Sequence, residues 1–540
     1  MHTHIFCYFI ILINFKVKFS NCNDRLSELN LPENHIAPYL NNHPDVKKAC
    51  LENESCPYLK HVTSKACWGY EDSCSEVDII KRHKCFEPGW WNFTGKEQDE
   101  FYWRTADFGY IKKKKNQLAY ACQNENKVFR SSLRCVKHMR FCKAENIYIN
   151  LKNVNFTNST ERLFQRDIFK PGDIGGDCVV NSNLLYTNGS HRQSLSSWYE
   201  ELKGFSELNF NPLESTEKCD VVIDEPTIIM KPDIGHNMCH HFLDFVNLYE
   251  SQHLNGSFDT NVQIIFWDTS NATYVDYFKT MFQVFTSKPT IQLNQFAGKS
   301  ICLKDVFFSF PSKMLFGIYY HMMLMPGCMG SALIQAFSEH TLHRLGVTQD
   351  LKGRKIRITM LSRKASRRVT TNEDELIASI SRLPNVQAIL IDYNTIISKF
   401  IHAYVVIKRF QITHNTDILI GIHGAGLTHS LFLPNWATVY ELFNCESGQY
   451  RNIARIRGVN HLTTEDKDKV KIYPDTSHPS VYGFLRFHNY SIDVGEFVRI
   501  VNKAIETVQN HPEYVTAVEN LVKTNENGRL NGGFAGKKEL

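Results

Sequence analysis

The chain has 540 residues, 43% of them apolar and 12% aromatic, which is enough for two or three domains with ordinary hydrophobic cores. Its net charge of +5 is small for this length and gives no reason to expect a nucleic-acid partner. No aromatic stacking pattern accompanies the basic run Lys112 to Lys115, so we interpret it as a solvated loop rather than a polyanion site.

An apolar stretch near the N-terminus, from Ile5 to Phe15, is too short to span a bilayer. It is typical of the hydrophobic region of a secretory signal peptide. We therefore predict a signal peptide over residues 1–20, with an uncleaved anchor as the alternative. No other segment is apolar enough to span a membrane, so no span is expected after cleavage.

Sixteen cysteines are present, and ten of them lie between Cys22 and Cys178. This density, without the C-x-x-C pairs of a zinc site, predicts a disulfide-stapled region over residues 21–200 in an oxidising compartment. The sequence leaves the pairing open. Eight Asn-x-Ser/Thr sequons indicate the same compartment, and the candidate glycosylation sites are Asn53, Asn92, Asn155, Asn158, Asn188, Asn255, Asn271 and Asn489.

From Asp220 the pattern changes to short apolar runs that alternate with helical periodicity. Cys219–Asp224 and Val262–Trp267 have the pattern of buried strands, and His240–His253 between them has that of a helix. Ala332–Leu345 is predicted to be another helix, with Gly346 ending it.

Four apolar runs in the last third alternate with helical segments, which predicts a parallel, doubly wound sheet. The carboxyl ends of such strands bind ligands, so Ser362, Arg363, His423 and Glu441 are expected to cluster there. The predicted strands are Arg357–Leu361, Val386–Ile391, Asp417–Gly421 and Thr438–Leu442.

The segment Gly421-Ile-His-Gly-Ala-Gly-Leu-Thr-His429 follows the third of these strands and precedes an apolar run. The order strand, glycine-rich turn, helix suits backbone amides that meet a phosphate-bearing ligand. Gly424 and Gly426 permit close backbone approach, and His423 adds a polar side chain. The spacing differs from G-x-G-x-x-G, so NAD is not expected.

Arginines follow the first C-terminal strand, where Arg363, Arg367 and Arg368 offer guanidinium forks that match a diphosphate. A solvated basic loop is the alternative, and the position at a strand end favours anion binding. Glu441, which ends another strand, is either an acceptor for ribose hydroxyls or a buried structural carboxylate.

His240 and Asp244 are four residues apart, so both should lie on one face of the predicted helix. Such a pair could remove a proton from an attacking hydroxyl, although a structural hydrogen bond is its commonest role. Two ligands do not make a metal site, so none is predicted here.

Four segments together resemble one family. They are Cys67-Trp-Gly-Tyr70, His240-His-Phe-Leu-Asp-Phe245, Thr413-His-Asn-Thr-Asp417 and Gly421–His429 with Phe432-Leu-Pro434. The chain is similar, from about His35 to His511, to the EGF-domain-specific O-linked N-acetylglucosamine transferases of glycosyltransferase family 61.

This resemblance implies a GT-B fold, in which two Rossmann-like halves face a cleft, here with a cysteine-rich N-terminal extension. Residues 201–348 would form the acceptor half, residues 349–522 the nucleotide-sugar half, and residues 523–540 a polar tail. The implied reaction is inverting transfer from UDP-GlcNAc to Ser or Thr of folded EGF-like domains in secreted and membrane proteins. Asp244 or His240 would be the base, and the UDP site would contain Arg363, Arg367, Arg368, His423, Gly424, Gly426 and Glu441.

One departure from the family concerns an Asp-x-Asp-like element expected after Trp267–Ser270, where this chain has Ser287-Lys-Pro289. Its loss predicts catalysis that does not require Mn²⁺, or else reduced activity. The alternatives to the enzyme are an EGF-binding pseudoenzyme and a relative with another donor or acceptor.

The last four residues resemble the Lys-Asp-Glu-Leu retrieval signal, with Lys538 in place of the acidic second residue. This similarity predicts residence in the ER lumen, with a retrieval receptor as a further partner. The residues of the predicted signal are Lys537, Lys538, Glu539 and Leu540.

Overall fold

The structure is a computed structural model that describes most of the chain. The described residues are 29–86, 93–123, 131–187, 195–272, 276–314, 317, 327–351, 355–364, 368–393, 402–443, 448–474 and 485–532.

Several predictions fall outside the described residues and therefore stay predictions. They concern the signal peptide, two of the sequons, one arginine of the basic segment and the whole retrieval-like end. The residues are 1–20, Asn92, Asn188, Arg367, Lys537, Lys538, Glu539 and Leu540.

An N-terminal extension begins with three short helices, α1 (Glu33–Asn42), α2 (Pro44–Leu51) and α3 (Leu59–Val62), which pack around Leu40 and Val46. Disulfides staple this region and continue beyond it, so the predicted disulfide-rich character is confirmed. The six bonds among the described residues are Cys50–Cys56, Cys67–Cys74, Cys85–Cys328, Cys122–Cys178, Cys135–Cys142 and Cys219–Cys302.

The extension continues with strand β1 (Lys84–Cys85) and two helices, α4 (Gly95–Ala106) and α5 (Phe108–Lys115). A capping box starts α4, because Thr94 accepts from the Glu97 amide and the Glu97 carboxylate accepts from the Thr94 amide. The basic run is the last turn of α5, and Lys114 is buried there. The prediction of a solvated loop was therefore wrong, because the run continues the helix that starts at Phe108, with Lys114 turned inward and Lys112 and Lys113 exposed.

The first sheet has eleven strands and joins a parallel part to an antiparallel part. Its main path runs β11-β10-β9-β12-β4-β3-β2-β6, with β5 and β7 attached to β4, and β8 attached to β12. The long strand β12 pairs antiparallel with β4, so one sheet continues across residue 200, where a boundary was expected. The strands are β2 (Ala119–Gln123), β3 (Ser132–Cys135), β4 (Cys142–Asn150), β5 (Ile174–Gly176), β6 (Val179–Val180), β7 (Ser206–Glu207), β8 (Val221–Ile223), β9 (Thr227–Met230), β10 (Gln263–Phe266), β11 (Ile291–Gln292) and β12 (Ser300–Phe308).

Short helices α6 (Ser182–Thr187) and α7 (Tyr199–Leu202) accompany this sheet, and the long helix α8 (Met238–Asn255) connects β9 to β10. The helix α8 is buried along almost its whole length and starts at Asn237, whose side chain accepts from the Cys239 amide. After β13 (Cys328–Met329), which pairs with β1, the helix α9 (Ala332–Arg344) follows. Both long helices were predicted from the sequence.

The second sheet is fully parallel, with strand order β15-β14-β16-β17-β18, so the predicted C-terminal sheet is confirmed. After β14 the chain adds β15 on one side of that strand and then β16 on its other side. This reversal of direction creates a switch point between β14 and β16. The elements are β14 (Ile356–Leu361), α10 (Glu373–Ser381), β15 (Val386–Ile391), α11 (His402–His414), β16 (Ile418–Gly421), β17 (Thr438–Glu441), α12 (Gln449–Arg457), β18 (Asn460–Thr463), β19 (Val470–Tyr473), β20 (Asn489–Ile492), α13 (Val494–Gln509) and α14 (Pro512–Gly532).

Aromatic side chains pack the two sheets' helices together. The ring of Phe242 from α8 contacts those of Phe410 from α11 and Phe432, with centroids 6.1 and 5.6 Å apart. One buried core cluster therefore includes residues of both halves. The mixed α/β class is confirmed, and the more specific GT-B architecture stays a prediction.

Two further observations concern the surface. Within the described part of the chain, the helices are too short or too polar to cross a bilayer.

Among the described sequons, Asn155, Asn158 and Asn271 are exposed, and the Asn271 amide donates to the Phe156 carbonyl at 2.9 Å. Which sequons carry glycans stays a prediction.

Candidate functional site

A cleft of about 410 Å³ opens at the carboxyl edge of the second sheet, at the switch point between β14 and β16. One wall consists of residues at the ends of β14, β15 and β16, and the other consists of the start of α8 and the segment after β10. The lining residues are His236, Asn237, Met238, Tyr277, Phe278, Leu361, Ser362, Arg363, Arg368, Asp392, Tyr393, Arg409, Ile422, Gly424, Ala425, Gly426 and His429.

The glycine turn forms the floor of this cleft. A Cβ on Gly426 would lie 3.1 Å from Leu361 Cδ1, and one on Gly424 would lie 3.5 Å from Arg363 Nη1. The absence of side chains thus lets the turn approach the end of β14 and its arginine. The helix predicted after the turn is a 3₁₀ helix, Ala425–Phe432.

Three arginines converge on the turn. Arg363 and Arg368 line the cleft as predicted, and Arg409 joins them from α11, a residue that the sequence pattern did not single out. The Nε atoms of Arg363 and Arg409 are buried without a hydrogen-bond partner among the described residues. Burial lowers the pKa of both guanidinium groups, but arginine remains charged. These three cations outnumber the Asp392 carboxylate in the lining, which makes this edge suited to an anion.

His429 supplies a neutral acceptor beside the arginines. Burial lowers its pKa to about 3, so the ring is uncharged at physiological pH. Its Nδ1 lies 2.8 Å from the Gly426 carbonyl and must donate to it, which leaves Nε2 without a proton. His429 can therefore accept a hydrogen bond from an N–H or O–H of a ligand, a role that its position in an apolar run concealed.

His423 and Glu441 lie behind the turn and do not line the cleft. The Glu441 carboxylate is fully buried, 2.6 Å from His423 Nδ1 and 3.0 Å from His461 Nε2. Burial alone would raise the pKa of Glu441, but these two hydrogen bonds bring it below its ordinary value. Of the two roles considered for Glu441, the structure therefore matches the buried structural carboxylate, because both oxygens are already engaged.

The predicted catalytic residues His240 and Asp244 lie on α8, whose start forms the opposite wall, but neither is among the lining residues, and the two have different hydrogen-bond partners. Asp244 is buried, and its Oδ2 accepts from the Asp233 amide at 2.8 Å and lies 3.0 Å from His241 Nδ1. Burial raises the pKa of Asp244, while His241 opposes that shift. The expectation that His240 and Asp244 form a pair was wrong, because the Asp244 carboxylate turns into the core toward His241.

His240 pairs instead with Asp233, whose Oδ2 lies 3.2 Å from Nδ1 of the ring. The His240 side chain is 36% exposed, whereas Asp233 is buried and also lies 3.4 Å from Lys313 Nζ. Burial would raise the pKa of Asp233, but His240 and Lys313 lower it. A buried carboxylate that holds Nδ1–H leaves Nε2 as the basic atom, as in a histidine base with an orienting aspartate.

The position of the missing Asp-x-Asp element lies away from the cleft. Gln263 at the start of β10 donates to the Pro289 carbonyl at 2.8 Å, and Lys288 pairs with Glu225, which precedes β9, at 2.9 Å. Ser287–Pro289 is therefore at the amino edge of these parallel strands, whereas the cleft wall follows their carboxyl ends. This departure leaves the residues of the cleft unchanged.

One cluster of potential metal ligands occurs in the described residues, formed by Cys67, Glu71 and Cys74. The two cysteines form a disulfide, and Glu71 accepts hydrogen bonds from the amides of Trp68, Gly69 and Tyr70. This cluster is structural, because disulfide sulfurs are not thiolate ligands.

Comparison with known proteins points to one family. The glycosyltransferase 61 family model matches residues 221–440, which include both walls of the cleft. The chain is 40% identical over 493 residues to the EGF domain-specific O-linked N-acetylglucosamine transferase of Canis lupus familiaris, covering 90% of this chain and 91% of the relative. The protein of the same name from Drosophila melanogaster is 38% identical over 515 residues, covering 93% and 95%.

Proposed function

The chain belongs to glycosyltransferase family 61, as its sequence motifs predicted, and we propose that it is an inverting N-acetylglucosaminyltransferase. It moves the sugar from UDP-GlcNAc to Ser or Thr hydroxyls of folded EGF-like domains of secreted and membrane proteins. The names of relatives that match 90% or more of the chain support the donor sugar and the acceptor.

The observation that carries the proposal is the set of three arginines around the glycine turn. Arg363, Arg368 and Arg409 line one cleft at the switch point of a parallel sheet, where nucleotides bind in other doubly wound folds. The diphosphate of UDP-GlcNAc is negatively charged and would pair with these guanidinium groups. The amides of Gly424 to Gly426 would add hydrogen-bond donors.

His240 is the proposed base. Its Nε2 takes the proton of the acceptor hydroxyl as the oxygen attacks C1 of the sugar from the face opposite the diphosphate. The bond between C1 and the diphosphate oxygen breaks, and UDP leaves with the electron pair, which inverts the anomeric centre. Asp233 orients the imidazole, and the arginines stabilise the charge that develops on UDP.

We propose no metal requirement, because guanidinium groups take the place that a divalent cation has in Asp-x-Asp enzymes. The pseudoenzyme alternative rested on Ser287–Pro289, and this segment lies at the other edge of the sheet from the cleft.

The proposed compartment is the ER lumen. The six disulfides favour an oxidising compartment. The retrieval-like end adds a receptor as a proposed partner, which would contact Lys537, Lys538, Glu539 and Leu540.

The test is incubation of the purified full chain with UDP-GlcNAc and a folded EGF-like domain, followed by intact-mass measurement. A gain of one N-acetylhexosamine on the domain is expected, with UDP as the second product. A panel of UDP-sugars in place of UDP-GlcNAc identifies a relative with another donor. Absence of any glycosylated product from a preparation that binds UDP would contradict the proposed function.

A further inference from the structure

Two apolar side chains are exposed at the rim of the cleft, on the wall opposite the arginines. Ile234 follows β9 and is 38% exposed, and Tyr277 follows β10 and is 43% exposed. The Tyr277 amide donates to the Gly235 carbonyl at 3.2 Å, so the two segments lie side by side. Tyr277 also lines the cleft, which makes this surface continuous with the candidate site.

A buried network holds both segments in place. Asp233 and Asp276 immediately precede the two exposed residues, and His241 Nε2 lies 3.1 Å from Asp276 Oδ2. His241 Nδ1 also contacts Asp244, which accepts from the Asp233 amide. The other oxygen of Asp276 accepts from the Phe278 amide at 2.7 Å. Since buried charged groups are tolerated only when paired, these contacts fix the backbone beside each exposed side chain.

We propose that Ile234 and Tyr277, termed here the rim pair, form the surface that docks the folded acceptor domain. This inference rests on the proposed function, because the acceptor hydroxyl must reach the donor sugar in the cleft that the arginines line. A domain that presents this hydroxyl from solvent lies over the rim. The rim pair takes an apolar side chain that the EGF-like domain exposes next to its acceptor Ser or Thr.

The physical reason is preorganisation on both sides of the contact. A segment whose backbone is already fixed loses little backbone entropy when a partner covers it, and a disulfide-bonded domain is also rigid. Aromatic residues are enriched among the residues that dominate binding energy. Other exposed apolar residues, such as Val77 and Val179, belong to segments that contribute no residue to the cleft, whereas Ile234 is two positions before His236, which lines it. Single exposed apolar residues of this kind are ordinary on a protein surface.

The experiment measures binding without turnover. Wild-type chain and the variants Ile234→Ser and Tyr277→Ser are titrated, with UDP present, against a folded EGF-like domain whose acceptor Ser or Thr is Ala. Each variant is expected to raise the Kd for the domain about tenfold or more. Val179→Ser is the matched control, because Val179 is 68% exposed on the far edge strand β6, and its Kd should equal that of wild type.

UDP binding and transfer assays separate this inference from the proposed function. Ile234→Ser should leave the Kd for UDP unchanged, because Ile234 is not among the lining residues. Equal affinity of wild type and both variants for the domain overturns the rim pair, even if transfer is observed. No binding of the domain to wild type overturns it as well. Loss of binding in the variants, with no transfer by wild type, upholds the rim pair and overturns the proposed activity.

Discussion

The Nδ1 atom of His423 and the Oε1 atom of Glu441 are 2.6 Å apart at the ends of two adjacent parallel strands. The second oxygen of the carboxylate meets His461 from the neighbouring strand β18. Because Tyr450 also packs edge-on against His423, at 4.8 Å between ring centroids, this imidazole is held from two sides directly behind the glycine turn.

The first prediction concerns this contact. Glu441→Gln keeps the shape of the side chain but replaces two charge-assisted hydrogen bonds, so the free energy of unfolding should fall by about 1–3 kcal/mol. The affinity for UDP should also fall, since the turn loses its support. Thermal unfolding and UDP titration measure both effects, with Glu506→Gln on the exposed face of α13 as control. Unchanged stability would show that the buried carboxylate contributes nothing.

The second prediction concerns the arginines. Arg363→Ala and Arg409→Ala should each raise the Kd for UDP about ten- to a hundredfold, because a hydrogen bond to a charged group is worth about 1.5–3 kcal/mol. Titration calorimetry at two salt concentrations measures this, and the salt dependence should weaken in both variants. Arg382→Ala, on an exposed residue at the end of α10, is the control. An Arg409 variant with wild-type affinity would remove that residue from the site.

Local patterns predicted the second sheet because each strand is an apolar run that ends next to polar residues. Arg363 and Gly424 could be placed in one cleft for that reason, since parallel strands share a carboxyl edge. Arg409 could not, because it lies in the middle of a helix, and only packing of α11 brings it to the turn. The pairing of β12 with β4 joins residues about 150 positions apart, and no local periodicity specifies it.

Side-chain direction limited the prediction of the base in the same way. Helical spacing places His240 and Asp244 on one side of α8, but the partner of Asp244 is set by the loop that carries Asp233. Helical spacing predicts which residues share one face of a helix, but it does not predict which loop packs against that face.

The third prediction is a pH effect through His241. Burial would lower the pKa of this ring, but its bonds to Asp244 and Asp276 raise it to about 9. Because the folded value exceeds the unfolded one of about 6.5, the stabilisation is complete below pH 6.5 and is lost as the pH rises to 9.

This effect is isolated by a variant. Asp276→Asn removes one partner of His241, so it should be less stable than wild type at pH 6.5, by up to about 3 kcal/mol. The difference should shrink as the pH approaches 9. Denaturant unfolding across this range measures it, with Asp374→Asn, an exposed residue, as control. A difference that does not depend on pH would contradict a protonated His241.

The fourth prediction compares two disulfides. Cys85–Cys328 closes a loop of 243 residues and ties β1 to β13, whereas Cys135–Cys142 closes a loop of seven. Replacement of both cysteines by serine should cost about 5 kcal/mol for the long loop and about 2 kcal/mol for the short one, because the longer loop restricts the unfolded chain more. Unfolding without reductant measures the two costs. Equal losses would contradict the loop-length argument.

The fifth prediction is that transfer does not depend on a divalent cation. Arg363, Arg368 and Arg409 already supply positive charge at the position proposed for the diphosphate, so a bridging Mn²⁺ has little left to neutralise. The initial rate of transfer in excess EDTA should therefore lie within about twofold of the rate with added Mn²⁺. An EDTA sample with Mn²⁺ restored in excess controls for chelator effects, and activity that is lost in EDTA and regained there would show that the arginines do not suffice.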